Sequence, residues 1–471
     1  MRALVNGSNV AGMLRNWALA GLVVLFWFSA PVLATEPATS FVLGNGLQVV
    51  VLPDHRLPIV THIVYYRAGS ADDPPGQSGI AHFTEHLMFK GTDKYPTGQY
   101  DLIVTRAGGT NNAFTSNDKT YYYEQFLKDG LARIMDLDAD RMAHMAFQQI
   151  EAEHELKVVL AEQRTYDNDP ESVLADEAGR ALYGAGAYAH PVLGERAEIA
   201  GLTLPAALAF HARFYVPANA ILVVAGDVMP NEVRALADAT YGRLPSSPPG
   251  NRPWADTPYA CAEGHVEISH SRIALDKLSL YFITPGTARL AAKTEAALQL
   301  LAYVLQDQAV SPLWQYIVAE TGVASDIAVG YEQKLAAGEF SITAVAQPNG
   351  VATALEPVLL SALDRLRENG IDAAALTVAR RHWLTDRQLA GDDQLATASR
   401  YGEKLAIGRT IADIEQESEA IASVSLTEIN TALRNFLSKR CFVSAALEHA
   451  GPSSAEALRG RTPAHATDAV H

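Results

Sequence analysis

The sequence predicts an α+β fold made of two diverged repeats of one unit, each a mixed or antiparallel sheet packed by helices. Three observations point there. Short β-branched runs bounded by Gly, Asn, Asp and Pro alternate with longer helix-forming stretches; the order of these elements in the first half recurs in the second; and LPSSPPGNRPWADTP, residues 244–258, divides the halves with a composition that sustains neither helix nor strand. Each unit would hold roughly 200 residues. The expected domains are 35–243 and 259–450, with 244–258 as the linker between them.

Taken in order, FVLGNGLQVVVLPDHRLPIVTHIVYYRAGS reads as strand, Gly-rich turn, strand, Pro break and strand. Helical sequence takes over at Gly79. A hairpin is expected from 113–115 and 120–126 around the turn Ser116-Asn117-Asp118, with Tyr121, Tyr122 and Tyr123 packing as alternating strand residues. Helix formers dominate from Gly130 to Arg180, and a buried strand is expected at 220–225. Beyond the linker come a strand at 278–283, a long helix at 291–305, a strand pair at 324–331 and 339–347, further helices, and a closing strand at 441–447. The Ala-, Ser-, Pro- and Thr-rich tail, 451–471, is expected to be disordered.

Composition narrows the function. At 471 residues, 48% hydrophobic and 19% charged, the chain is long enough for two cored domains and too apolar for disorder. A formal net charge of -16 lacks the basic footprint of a nucleic-acid binder and suits cationic peptides better. Arg2 and Arg15 precede an apolar run from Trp17 to Leu33, which reads as a secretory signal, residues 1–34, cut after Ala34. A retained membrane anchor is the alternative reading of that run. Either way the body is exported, with the periplasm as the expected compartment and no membrane span in the mature chain. Export permits a disulfide between Cys261 and Cys441 but their spacing does not demand one, and two cysteines exclude a metal site built from thiolates.

The chemistry concentrates in AHFTEHLMFKGT, residues 81–92. On a helix His82 and His86 stand one turn apart with Glu85 between them on the same face, while Ile80, Phe83 and Leu87 form a separate packing stripe. Two imidazoles at i and i+4 can share one ion, and Glu85 is then free to deprotonate a water. A third ligand must come from elsewhere; EAEHELKVVLAEQRTYDNDP offers Glu155 and Glu162, seven residues apart on one side of a second helix whose Val158-Val159-Leu160 interior would bury it. The motif alone would arise by chance in roughly one chain in forty of this composition, so a solvated polar helix face stands as the alternative until context is added.

The context is a family resemblance. His-x-x-Glu-His is the inverted zinc motif, and the chain resembles the M16 peptidases (pitrilysin, insulin-degrading enzyme, mitochondrial processing peptidases) in GIAHFTEHLMFKGT, NNAFTSNDKTYYY, the glutamate pair ending in AEQRTYDNDP, YAHPVLGERAEIAGL and the half-chain duplication. The resemblance implies the fold of the M16 and LuxS-like metallohydrolases. It implies one Zn2+ ion held by His82, His86 and Glu162, Glu85 as general base, and Glu155 as the carboxylate that orients a ligand. It also implies a substrate peptide pairing with the strand edge at Asn112, Ala113, Phe114 and Thr115. The expected activity is zinc-dependent endopeptidase cleavage of peptides or unfolded segments.

One departure bears on partners. Relatives place an arginine and a tyrosine in the second half, aimed at the substrate; here SPLWQYIVAETGVASDIAVGY has Ala319 before Glu320 and Ser325 at the tyrosine position, with Tyr331 available only after a register shift. Relatives of this length pair with a second, similar subunit, so the resemblance implies the zinc-bearing half of a dimer whose partner supplies the Arg/Tyr pair. Two rivals stand beside this reading: a non-catalytic structural or assembly subunit of the same family, and an iron oxygenase with a two-histidine, one-carboxylate centre. His154, which begins an incomplete HExxH, reads as a helix-surface residue.

Overall fold

The structure, a computed structural model, describes residues 37–450 apart from Phe147, Pro258 and residues 438–440. The expected signal at 1–34 and the expected tail at 451–471 lie outside the described residues. The first sheet contains β1 (Thr39–Val42), β2 (Gln48–Pro53), β3 (Ile59–Tyr66), β4 (Thr110–Thr115), β5 (Thr120–Leu127) and β6 (Ala220–Gly226), in the order β1-β2-β6-β3-β5-β4. The second contains β7 (Gly264–His270), β8 (Lys277–Pro285), β9 (Ala324–Glu332), β10 (Ala337–Ala346) and β11 (Val443–His449), in the order β7-β11-β8-β10-β9. With β1 set aside the two orders correspond strand for strand. Each sheet has one parallel pairing at the corresponding place, β2 with β6 and β7 with β11, and all its other pairings are antiparallel. The duplication expected from element order is therefore present in the topology.

Most expected strands fall where the β-branched runs are. Three differences are instructive. Strand β4 starts at Thr110 rather than 113, because Asn111 and Asn112 on an edge strand carry none of the apolar alternation by which strands are read. Strand β7 was not expected: GHVEISH is mostly exposed or half-buried, and its partner β11 lies far along the chain. The helical stretch from Gly130 to Arg180 is three helices, Leu131–Ala143, Gln149–Asp167 and Pro170–Tyr183, the last started by Pro170 with the Asp169 side chain accepting from the Ser172 amide.

Within Gln149–Asp167, Val158-Val159-Leu160 is not a buried interior. Ala152, Glu155, Val159 and Gln163 are buried, whereas Val158 is exposed. Consecutive helical residues are 100° apart, so Val159 faces the core, Leu160 packs half-buried at its margin and Val158 turns outward.

The halves interlock. Helix Gln394–Ala406 of the second half lays Ala398, Tyr401 and Leu405 on Val50, Ile63, Ile221 and Val223 of the first sheet. Gly402 permits this approach, since a Cβ there would stand 1.9 Å from the Tyr65 ring. Reciprocally, Leu174 and Ala178 of helix Pro170–Tyr183 pack on Ala445 and Leu447 of the second sheet. Strand β6, AILVVAG, is buried at every residue because helices cover both faces of its sheet. Within 244–258, Arg252 and Trp254 both donate to Asp72 in the first half.

Cys261 and Cys441 form a disulfide. The parallel register of β7 and β11 accounts for it: Gly264 lies opposite Val443, so the residues just before each strand meet although 180 positions separate them. Among the described residues, no helix is long and apolar enough to cross a membrane.

Candidate metal centre and active site

The motif helix is Ile80–Leu87. Its start is fixed by Gly79, whose φ of 86° suits glycine, and where a Cβ would lie 2.4 Å from the Leu193 carbonyl oxygen. Two orphan amides of the first turn are satisfied by one carboxylate: Gly79 N–H donates to Asp73 Oδ2 at 2.7 Å and Ala81 N–H to Oδ1 at 3.0 Å. Burial pushes the Asp73 carboxyl well above its usual range. Ile80, Phe83 and Leu87 are fully buried, so the stripe read from the sequence anchors the helix and the opposite face presents His82, Glu85 and His86 to a cleft of ≈ 670 Å³. Helix Gln149–Asp167 forms one wall and β4 another.

In that cleft three atoms converge. His82 Nε2 and His86 Nε2 are 3.2 Å apart, and Glu162 Oε2 lies 3.3 Å from His86 Nε2 and 3.8 Å from His82 Nε2. A tetrahedral zinc ion with bonds of about 2.0–2.1 Å has ligand–ligand edges of about 3.4 Å, so the triangle already has the size of such a site. The chemistry of the donors agrees. Burial, with repulsion from His86, holds His82 down at about 3, leaving a neutral ring with a lone pair to give.

His86 Nδ1–H must be the donor to Glu155 Oε1 at 2.9 Å, since an ionised carboxylate only accepts; the Nε2 lone pair is thereby left facing Glu162. Burial lowers the His86 pKa, but the Glu155 hydrogen bond and the surrounding carboxylates outweigh it and the net direction is up. For Glu155 burial pushes up, and the bonds from His86 and Lys90 hold the carboxyl below its usual range. Lys90, which pairs directly with Glu155, was not singled out in the sequence although it stands one turn past His86 in HLMFK.

Glu85 sits beside this triangle, buried, with its Oε2 accepting from Thr115 Oγ1 at 2.6 Å. Burial raises its carboxyl, opposed by the Thr115 bond. Along β4 the side chains alternate: Asn112 and Phe114 are exposed, Ala113 is half-buried, and Thr115 turns inward. Strand β4 is last in its sheet, paired only with β5 among the described residues, so its outer edge is open.

Among the described residues, the positions singled out in the second half bring no cation or phenol to this cleft. Glu320 pairs with Arg365 at 3.6 Å, and Ser325 Oγ donates to the Ala346 carbonyl at 3.0 Å. Tyr331 packs its ring on Phe340 and donates its hydroxyl to Gln333. His154 is exposed, as expected of a surface residue.

Among the described residues one other cluster has metal-like spacing, His62, Glu124 and Asp138, all buried. A cation is already there. Arg141 Nη2 lies 2.6 Å from Asp138 Oδ1 and 3.3 Å from Glu124 Oε1, while His62 Nδ1 lies 2.8 Å from Glu124 Oε2. The guanidinium and imidazolium balance two carboxylates, which makes this a core ion network.

Residues 48–196 match Insulinase (Peptidase family M16), and residues 201–382 match the Peptidase M16 inactive domain. A Helicobacter pylori protein named zinc protease PqqE is 30% identical over 341 residues, 72% of this chain and 76% of that protein. An uncharacterized zinc protease of Mycobacterium bovis is 29% identical over 415 residues, covering 84% of this chain and 90% of the other. Among solved structures, a protease from Helicobacter pylori superposes with a TM-score of 0.80 at 25% identity, over 88% of this chain and 100% of that one. The periplasmic protease PqqL from Escherichia coli shares the fold at a TM-score of 0.75 and 18% identity, with 90% of this chain matching 50% of PqqL. The chain belongs to the M16 (insulinase) peptidase family.

Proposed function

We propose that this chain is a zinc-dependent endopeptidase of peptides or unfolded polypeptide segments, exported to the periplasm and acting as the zinc-bearing subunit of a dimer. The observation that carries the reading is the convergence of His82, His86 and Glu162 on one point with Glu85 beside it. His82, His86 and Glu162 would hold a single Zn2+. When bound, zinc supplies the Lewis acidity that eases deprotonation of water and polarises a carbonyl. Glu155 and Lys90 keep the His86 ring turned with Nε2 inward. Glu85 accepts the proton of the attacking water and hands it to the departing amine. The open edge of β4, at Asn112, Ala113, Phe114 and Thr115, pairs with the backbone of an extended peptide.

Substitution of Glu85 by Gln tests the reading against a non-catalytic family subunit. A peptidase retains its zinc and loses turnover by roughly a hundredfold or more; a scaffold is indifferent. The absence of a free cation and phenol at Ala319 and Ser325 supports a partner, a second M16-like subunit that supplies Arg and Tyr. The match of this chain to half of PqqL, named a periplasmic protease, supports both the pairing and the compartment. Purified alone, the chain should bind zinc yet cleave poorly, with activity restored by the subunit that accompanies it in its source; full activity alone would remove the need for a partner.

A further inference from the structure

Thr115 ends the strand proposed to pair with substrate, yet its side chain takes no part in that edge. It is 5% exposed, facing the motif helix, and its hydroxyl donates to Glu85 Oε2 at 2.6 Å. Among the described residues this is the hydrogen bond that restrains the Glu85 carboxylate, and none of them donates to its second oxygen, Oε1.

A hydroxyl has one proton, so its acceptors compete. Thr120 Oγ1 lies 3.2 Å from Thr115 Oγ1, but gives its own proton to the Ala68 carbonyl at 3.0 Å and so offers Thr115 a lone pair. An ionised carboxylate at 2.6 Å prevails over a neutral hydroxyl at 3.2 Å, because charge-assisted bonds are shorter and stronger. Thr120 thus backs Thr115 from behind without taking its proton. Both threonines are in register on β4 and β5, directly opposite one another.

We propose that Thr115 is the positioning residue for the general base: its hydroxyl ties down Oε2, sets the plane of the Glu85 carboxylate and reserves Oε1 for the water. The inference rests on the proposed role of Glu85, and it separates two duties on one strand, substrate pairing through the β4 backbone and orientation of the base through one inward hydroxyl.

The test compares Thr115→Val, which keeps the shape and removes the hydroxyl, with Thr115→Ser, which keeps the hydroxyl, in the zinc-loaded full chain with its accompanying subunit. Expected for Thr115→Val is a fall in kcat of roughly ten- to a hundredfold, the scale of one hydrogen bond to a charged group, with peptide KM and zinc content unchanged. Thr115→Ser should recover most of the turnover. An infrared readout stands apart from activity: the carboxyl band of Glu85, isolated as the difference between the native chain and Glu85→Gln, should shift in Thr115→Val and hold in Thr115→Ser. Turnover of Thr115→Val within twofold of native, an equal loss in Thr115→Ser, or a band that does not move would overturn the proposal. If Glu85→Gln itself leaves turnover untouched, the role of Glu85 as base is what fails, and the infrared comparison still decides whether Thr115 holds that carboxylate.

Discussion

The two halves share a strand order and differ in what they bury. In the first, the helix after the central strand β3 is eight residues long and presents two imidazoles and a carboxylate. In the second, the helix after β8, Ala292–Gln306, buries Leu298, Leu300, Leu301, Val304 and Leu305. Their sheets differ in the same way. Among the apolar residues Val60, Val64, Tyr66, Tyr122 and Phe126 of that layer, β3 and β5 also carry His62 and Glu124, which meet Asp138 and Arg141, whereas the corresponding layer on β8 and β10 is Leu278, Leu280, Phe282, Phe340 and Ile342. The topology is therefore indifferent to whether its central helix carries chemistry. A buried polar face is tolerated only where other elements bring partners to it, as Asp73, Thr115, Glu155 and Glu162 do in the first half.

The strongest way to break the contrast is to give the first half the character of the second. His82→Leu should remove zinc from the chain and lower peptidase turnover by at least a hundredfold. The metal-free fold should lose nothing, because an apolar side chain replaces a buried, neutral imidazole whose Nδ1 has no hydrogen-bond partner among the described residues. Metal analysis and thermal unfolding of the metal-free chain read the two expectations separately. A large drop in unfolding temperature would show that the histidine also serves the core.

The next largest effect is on stability and lies in the ion network. Arg141→Met leaves Glu124 and Asp138 buried with only His62 to offset them, and should destabilise the chain by about 3–5 kcal/mol in urea unfolding. Titration probes the same network. Burial works against a charge on His62, but hydrogen bonds to Asp138 and Glu124 prevail and raise it from 6.5 to about 9, while Tyr241 hydrogen-bonds its other nitrogen. A pKa higher in the folded than in the unfolded chain means stability fully present below about pH 6.5 and lost as pH rises through 9. The urea midpoint should fall across that window in the native chain and change less in His62→Gln. An equal slope in both would assign the pH dependence elsewhere.

What the sequence discloses follows the range of each interaction. His82, Glu85 and His86 are legible because a helix brings i, i+3 and i+4 together within one motif. The strands of both sheets are legible wherever apolar residues alternate or run together, as in β3 and β6. Glu162 is different: the residues alone left it level with Glu155, and the family resemblance, not spacing, set the two apart. The contacts of β7, of the Cys261–Cys441 bridge and of Thr115 with Glu85 have no local signature, because each depends on which distant strand or helix lies alongside. The ion network did leave a trace, a histidine and a glutamate inside the apolar strands VTHIVYY and TYYYEQFL, whose meaning needed the partner helix carrying Asp138 and Arg141.

The smallest effect sharpens the comparison from the other side. The second half has its own buried carboxylate, Glu295, which accepts from Lys404 at 2.9 Å and also pairs with Arg409. Lys404→Met removes one of two cations, the Met stem keeps the packing of the lysine chain, and the 21% exposure of the lysine side chain leaves water to compensate. The expected cost is about 1 kcal/mol or less, well below that of Arg141→Met, where both carboxylates are sealed from solvent and His62 alone is left to offset the two. Equal losses at the two sites would mean that redundancy and solvent access do not distinguish the halves, and that the contrast between a polar and an apolar core layer has been drawn in the wrong place.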